Sequence, residues 1–328
     1  MRDHGGNLDA ARVRYGGDRW VDLSTGINRL PWPMPPLPDW ALTALPPAPA
    51  LAALVAAARG AWQTPAAILP LAGAQAAIQL VPRLDPPGRA RVLGPTYNEH
   101  AAALRACGWQ VEEVDRPQAL AGAGLAVIVN PNNPDGRALP REAVLALAGQ
   151  VGRLVVDESF ADPVPQLSVA AEAGASGLIV LRSFGKFYGL AGLRLGFALG
   201  SGEDIARLAE MAGPWPVSGP AIHAGTLALA DRAWAHATTA RLAADGRRMD
   251  ALAARTGWQL VGGTHLFRLY DAPSAEGAQD GLARGGVWSR IFPWSSNLIR
   301  LGLPGPEAEW RQVAAAFEAL SAGQGQQG

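Results

Sequence analysis

Apolar and polar positions along the chain fall into two rhythms. Short apolar runs at 67–72, 89–93, 109–114, 125–129, 154–157 and 178–181 read as strands, and the most continuous of them as strands buried on both faces. Between them lie stretches with helical spacing: 51–62, with Leu51, Leu54, Val55 and Ala58 on one face, then 76–84, 99–106, 141–150 and 203–211. Strand and helix in alternation predict an α/β fold, a three-layer α/β/α domain around a mainly parallel sheet. A long, alanine-rich helical stretch, 218–245, follows as a bridge, and 247–256 continues it or begins another helix. Strands at 258–261, 265–270, 286–291 and 297–301 and a helix at 306–320 predict a smaller α+β lobe. Residues 1–40 are rich in Gly, Pro and Trp with little periodicity, so they read as an irregular arm with one strand at 20–23. The expected division is a large domain at 45–240 and a small domain built from 1–44 and 241–328. The glycine-rich tail, 323–328, is expected to be disordered.

Composition narrows the classes. The 328 residues, 49% apolar, can bury a substantial core. Lys+Arg 28 balance Asp+Glu 28, which gives no support for nucleic acid or an anionic membrane as partner. A single cysteine, Cys107, excludes an intrachain disulfide and fits a reducing, cytoplasmic compartment. The first residues carry no apolar signal segment, and the most apolar window, 41–58, is interrupted by Pro46, Pro47 and Pro49, against a membrane span. No zinc-ligand spacing stands out, so no metal is expected.

The candidate chemistry centres on 183–197, Ser183-Phe-Gly-Lys186-Phe-Tyr-Gly-Leu-Ala-Gly-Leu-Arg194-Leu-Gly-Phe197, which follows the strand at 178–181. Its glycines allow backbone to approach a bulky planar ligand. A lysine held there can lose its proton and form an imine with a carbonyl, and Ser183 and Arg194 are phosphate-binding groups. That combination is the chemistry of a pyridoxal phosphate (PLP) site. Gly73, Ala74 and Gln75 stand between a strand and a helix, where free N–H groups can cradle a phosphate, although such turns are common as plain connections. Tyr97 follows a strand and either offers its flat face to a ring or caps the core. Asp157 ends an apolar strand and needs a cationic partner if buried, or else caps the next helix.

On these segments the chain resembles the fold-type I PLP enzymes of the class I/II aminotransferase group. Within it the chain is most similar to the threonine-phosphate decarboxylases of cobalamin biosynthesis, with histidinol-phosphate aminotransferases as close relatives. The resemblance implies that Lys186 carries the cofactor, that Asp157 faces its ring nitrogen and that Tyr97 stacks on the ring. It implies further that Asn133, in Asn130-Pro-Asn-Asn133-Pro, donates to the 3′-oxygen, and that Gly73, Ala74, Gln75, Ser183 and Arg194 hold the phosphate. A phosphorylated amino acid would meet His4, in His4-Gly5-Gly6, and Ile27 and Asn28, in Ser24-Thr-Gly-Ile-Asn28, together with Arg290 and Arg300. Arg182 is a further basic candidate. The implied activity is decarboxylation of L-threonine O-3-phosphate, or alternatively a histidinol-phosphate-type transamination, in a homodimer. Four departures from the group's pattern stand out. Arg29 replaces proline after Asn28, and Asp135 replaces threonine after Pro134. Phe160 replaces a tyrosine, and 45–49 lacks the tyrosine that reaches the neighbouring subunit.

Overall fold

The computed structural model describes residues 4–324. Its strands, in chain order, are β1 (Val21–Asp22), β2 (Ala67–Leu71), β3 (Arg89–Leu93), β4 (Gln110–Val114), β5 (Leu125–Val129), β6 (Arg153–Asp157), β7 (Leu178–Ser183), β8 (Gly196–Gly200), β9 (Gln259–Thr264), β10 (Phe267–Asp271), β11 (Val287–Trp288), β12 (Arg290–Ile291) and β13 (Leu298–Gly302). The chain divides into two units. One holds residues 32–133 and 137–236, and the other holds the N-terminal residues to 31, the short segment 134–136 and everything from 237.

The larger unit is an α/β/α domain on a seven-stranded sheet of order β2-β8-β7-β6-β5-β3-β4. β3 through β7 run parallel, and β8 is antiparallel to both of its neighbours. β5 and β6 are buried at every position, as strands covered on both faces must be. Alternate side chains, among them Val127, Val155, Ile179 and Leu181, pack with Ile78, Leu104 and Leu208 from helices on one face. Pro70, which lacks an N–H, is confined to the edge strand β2. Residues 32–44, expected with the small domain, group with this unit. Trp32 donates its backbone N–H to the Tyr188 carbonyl (2.9 Å) and its indole N–H to Asp231 (3.1 Å). Gly219 packs so closely on Ala41 that a Cβ would stand 2.2 Å from its carbonyl oxygen.

The smaller unit carries a four-stranded antiparallel sheet, β12-β13-β10-β9, and the parallel pair β1-β11. The stretch 286–291, expected as one strand, is two. At Ser289 the chain leaves the pair with β1 and joins β13, and the Ser289 carbonyl accepts from Gln279 instead (2.9 Å).

Three further expectations are corrected. The arm contains a helix, Leu8–Tyr15, capped by Asn7 and tied down by Tyr15 to Asp280 (3.0 Å). Its only buried residue is Ala11, so no apolar stripe announced it. The bridge is two helices, Gly219–Ala230 and Arg232–Arg255, broken at Asp231, whose carboxylate caps the second at the Trp234 N–H (2.9 Å). The strand placed at 265–270 begins at 267, because Thr264 turns the chain by accepting the Leu266 N–H (3.1 Å). The final helix, Glu307–Gln324, runs into the expected tail, whose last four residues lie outside the described ones. Among the described residues no helix is long and apolar enough to cross a membrane.

Arg182, on β7, is spent on structure. It is 3% exposed, pairs with Glu158 (2.7 Å) and Asp162 (2.5 Å), and lies 4.8 Å over the Trp62 ring. Replacing it by Met takes the cation from the buried Glu158 and the half-buried Asp162. Arg182→Met is therefore expected to lower stability by about 3–5 kcal/mol, read as a fall in the urea midpoint.

Candidate active site

Strand register brings the cofactor candidates to one edge of the seven-stranded sheet. β5, β6 and β7 are parallel, with Val129 opposite Asp157 and Asp157 opposite Leu181. Asn130–Asn133, Asp157 and the Ser183–Lys186 segment therefore all leave the sheet at its C-terminal edge. β3, also parallel, delivers Tyr97 there. β8 begins at the same edge, since Gly196 pairs with Ser183, and Leu71 pairs with Gly196, so Gly73, Ala74 and Gln75 follow at that edge too. This is where ligands bind in open parallel sheets.

Asp157 is 3% exposed. One carboxylate oxygen sits 2.8 Å from His100 Nε2, and the other accepts the Ser159 N–H (2.9 Å) and hydroxyl (2.5 Å). Burial opposes its charge, but the His100 hydrogen bond and charge, with the two Ser159 donors, outweigh that and hold the carboxyl below its ordinary value. His100 and Ser159 were not foreseen. The pattern Asp157-Glu-Ser159 was a readable local signal, since an Asp commonly accepts from the backbone two residues on.

Lys186 lies in the short helix Phe184–Phe187 directly after β7, its ammonium 5.7 Å from the Phe160 ring centre. It is also the only lysine in the chain; every other basic side chain apart from histidine is arginine. That count was legible from the sequence and points to this position more sharply than any motif.

The cradle is shaped by absent side chains. A Cβ on Gly73, whose φ is +81°, would stand 2.7 Å from the Arg194 guanidinium. A Cβ on Gly196 would stand 2.2 Å from the Ala74 nitrogen. Arg194 itself has φ +52°, and its guanidinium donates to the Ala191 carbonyl (3.1 Å). Backbone N–H groups at a helix start, a guanidinium against them and Ser183 at the same edge make a donor set for a phosphate. Gln75 does more than line this turn: its amide accepts from the Tyr97 hydroxyl (3.3 Å) and donates to Glu99 (3.1 Å). Of the three asparagines after β5, Asn130 is tied to Leu139 through both ends of its amide, and Asn132 to Pro95 and Thr96. Asn133 is half-buried beside them. A flat ring with a phosphate arm fits this set of groups.

The smaller unit holds the other candidates. A cavity of about 920 Å³ is lined by His4, Ser24, Trp288, Ser289 and Arg290, among others. The His-Gly-Gly start is bound to the Asp22–Ser24 segment: Gly6 donates its N–H to the Ser24 hydroxyl (2.7 Å), which donates to Asp22 (2.6 Å). Only glycine fits at position 5, where a Cβ would stand 2.3 Å from the Ser24 carbonyl oxygen. Arg290 and Arg300 face each other across β12 and β13. Arg300 is buried, donates to the Ser24 carbonyl (2.7 Å) and lies 5.0 Å from the Phe267 ring centre. Burial, and then the charge of Arg290, push its guanidinium down to about 9, against the pull of Asp22. Two guanidinium groups in register on neighbouring strands bring like charges together on one sheet. Ile27 is half-buried and Asn28 buried; neither lines the cavity. Arg29, standing where proline was expected, holds its turn by forking onto Glu309 (2.7 and 2.6 Å) and donating to the Asp22 carbonyl (3.1 Å).

The chain belongs to the aminotransferase class I and II family, whose model matches residues 43–316. It is 44% identical to a threonine-phosphate decarboxylase of Pseudomonas aeruginosa, over 97% of each chain. It is 42% identical to another, of a Sinorhizobium species, over 96% of this chain and 97% of that one. The fold is shared with the crystal structure of a histidinol-phosphate aminotransferase from Sinorhizobium meliloti in complex with pyridoxal-5′-phosphate. The TM-score is 0.84 at 22% identity, covering 99% of this chain and 96% of that one.

His100→Phe removes the donor facing one Asp157 oxygen and leaves burial less opposed. The variant is expected to lose about 1–3 kcal/mol of stability at pH 8, read from the urea midpoint. In wild type, the depressed Asp157 value adds stability above the ordinary carboxylate range, and that contribution is lost as pH falls through the folded value. The variant lacks that contribution, so its deficit should hold from pH 8 to pH 5 and narrow only below the ordinary carboxylate range, about pH 4, where wild type loses it too.

Proposed function

We propose that the protein is a PLP-dependent decarboxylase that converts L-threonine O-3-phosphate to (R)-1-amino-2-propanol O-2-phosphate in cobalamin biosynthesis. The observation that carries the cofactor assignment is the chain's only lysine lying at the same sheet edge as a buried, charged aspartate. The substrate follows from the near full-length likeness to two threonine-phosphate decarboxylases and from the Arg290–Arg300 pair, which suits a substrate with two anionic ends.

When bound, pyridoxal 5′-phosphate supplies an aldehyde that takes an amine and a ring that accepts the electron pair left on Cα. The protein's part is to hold and to aim. Lys186 Nζ would be the amine that carries the aldehyde, and Asp157 would keep a proton on the ring nitrogen. Ala74 and Gln75, through their N–H groups, would bind the phosphate with Ser183 and Arg194, and Gly73, whose own N–H is taken by the Leu71 carbonyl (2.7 Å), would leave room for it in the turn. Asn133 would donate to the cofactor's 3′-oxygen, and Tyr97, whose hydroxyl donates to Gln75, would offer its ring to the pyridine. Arg290, Arg300, His4 and Asn28 would hold the substrate's anionic ends, with Ile27 beside them as an apolar wall, and so would set which bond at Cα is aimed for cleavage. For CO2 loss that bond is the one to the carboxylate. Lys186 Nζ, or water, would then deliver the proton that takes the carboxylate's place on Cα. Phe160 contributes no hydroxyl to the 3′-oxygen, so Asn133 serves it alone. In this reading the protein works in the cytoplasm as a homodimer.

Purified protein supplied with cofactor and L-threonine O-3-phosphate is expected to release CO2 with no 2-oxo acid present. Turnover that requires 2-oxoglutarate and yields no CO2 would replace this reading by the histidinol-phosphate type. Arg300→Met is expected to raise KM for the phosphorylated substrate ~10-fold or more, the size of a charge-assisted hydrogen bond.

A further inference from the structure

The cavity of about 920 Å³ in the smaller unit holds a side chain that nothing in the fold accounts for. Ser289 lines it between Trp288 and Arg290, is 1% exposed, and its hydroxyl has no hydrogen-bond partner among the described residues. The other serines of the cavity show the contrast. Ser24 donates to Asp22 (2.6 Å) and accepts from Gly6 (2.7 Å). Ser274 accepts from Gly277 (3.1 Å), and Ser295 donates to Asn297 (2.9 Å) and accepts the Leu298 N–H (3.1 Å). Ser296 is exposed and can turn to water. The bend in the chain explains why Ser289 is left over. It stands between the pairing of β11 with β1 and that of β12 with β13, and its carbonyl is taken by Gln279 (2.9 Å). A hydroxyl sealed from bulk water without an acceptor weakens a fold, and an alanine methyl would occupy the place without that penalty. The missing partner is therefore to be sought in what fills the cavity.

Neighbouring side chains define its chemistry. Arg290 holds its guanidinium 5.5 Å from the centre of the Phe292 ring, and both residues line the cavity. His4 stands on the wall as well, and the acidic group among the lining residues, Glu276, is exposed to water. One guanidinium fork matches the two oxygens of a carboxylate, whereas a phosphoryl group has three and calls for further donors. From this geometry we infer that Ser289 is a binding residue: its hydroxyl donates to a phosphoryl oxygen of a phosphate monoester held in the cavity beside Arg290. That this monoester is the substrate rests on the proposed function; the binding itself does not.

The test starts from cofactor-loaded protein, whose cradle at Ala74 and Gln75 is then filled, dialysed against inorganic phosphate. Ser289→Ala is expected to raise the Kd for phosphate ~10-fold, the loss of a hydrogen bond to a charged group. In phosphate-free buffer the same variant is expected to keep or raise the urea midpoint, since it deletes an unpaired group. A role inside the fold would give the opposite sign. A lowered midpoint therefore overturns the inference, as does unchanged phosphate affinity or a wild type that binds no phosphate. Ser289→Cys keeps the size but donates weakly, and is expected to bind phosphate like the alanine variant. Wild-type affinity in it would reduce the role to one of volume and overturn the inference. With L-threonine O-3-phosphate, Ser289→Ala is expected to raise KM ~10-fold while kcat stays within about 2-fold, the mark of lost uniform binding. Two inhibitors separate the ends of that molecule: 1-amino-2-propanol phosphate has no carboxylate, and L-threonine has no phosphate. Weaker inhibition of the variant by the first alone supports the phosphoryl assignment. Weaker inhibition by L-threonine gives Ser289 to the carboxylate and overturns it. Should wild type release no CO2, the functional reading falls by itself, and the phosphate affinities and urea midpoints still decide the inference.

Discussion

A carboxylate buried at the end of a central strand is the constraint on which the larger unit turns. Left alone, Asp157 would take up a proton or destabilise the fold. His100 and Ser159 keep it charged by surrounding it with donors, one from a helix after β3 and one from the turn after β6. The sheet order makes this possible. β5 and β6 are neighbours and β3 is next, so the helix that follows β3 can reach across to the end of β6. The same parallel order sets Lys186 one strand away, after β7, and brings the glycine cradle round from β2.

Arginine does the supporting work that elsewhere falls to mixed basic residues. Arg182 fills a buried acidic pocket beneath the edge, Arg194 lies against Gly73, Arg29 staples the turn after Asn28 to the last helix, and Arg241 clamps Asn28 itself. Guanidinium groups stay charged and fork in a plane, so each can fix two partners at once. The one lysine stands directly after β7, and an amine, unlike a guanidinium, can lose its proton.

Most of the larger unit was legible from the chain, because its signals are local. An apolar run ending in Asp157, another followed by Ser183 to Arg194, and a strand closing on Gly73-Ala74-Gln75 each announce their element within a dozen residues. The pairings that complete the site were not, because they join distant segments: His100 to Asp157 across 57 residues, Arg241 to Asn28 across 213, Arg29 to Glu309 across 280. Periodicity says nothing about such partners; strand order and helix packing set them. The arm failed for another reason. The helix Leu8–Tyr15 is held by a cap and one tyrosine rather than by an apolar face, so hydrophobic spacing could not reveal it. The break at Asp231 was hidden in the same way, since the residues on both sides favour helix and only the capping carboxylate interrupts them.

One amine, Lys186 Nζ, is the proposed attachment point of an aldehyde cofactor, and the chain offers a direct way to ask. Protein loaded with pyridoxal 5′-phosphate, reduced with borohydride and digested, should carry the added cofactor mass on the peptide containing Lys186 and on no other, and Lys186→Ala should carry none. Cofactor mass found only on the N-terminal amine, or equal labelling in Lys186→Ala, would contradict it.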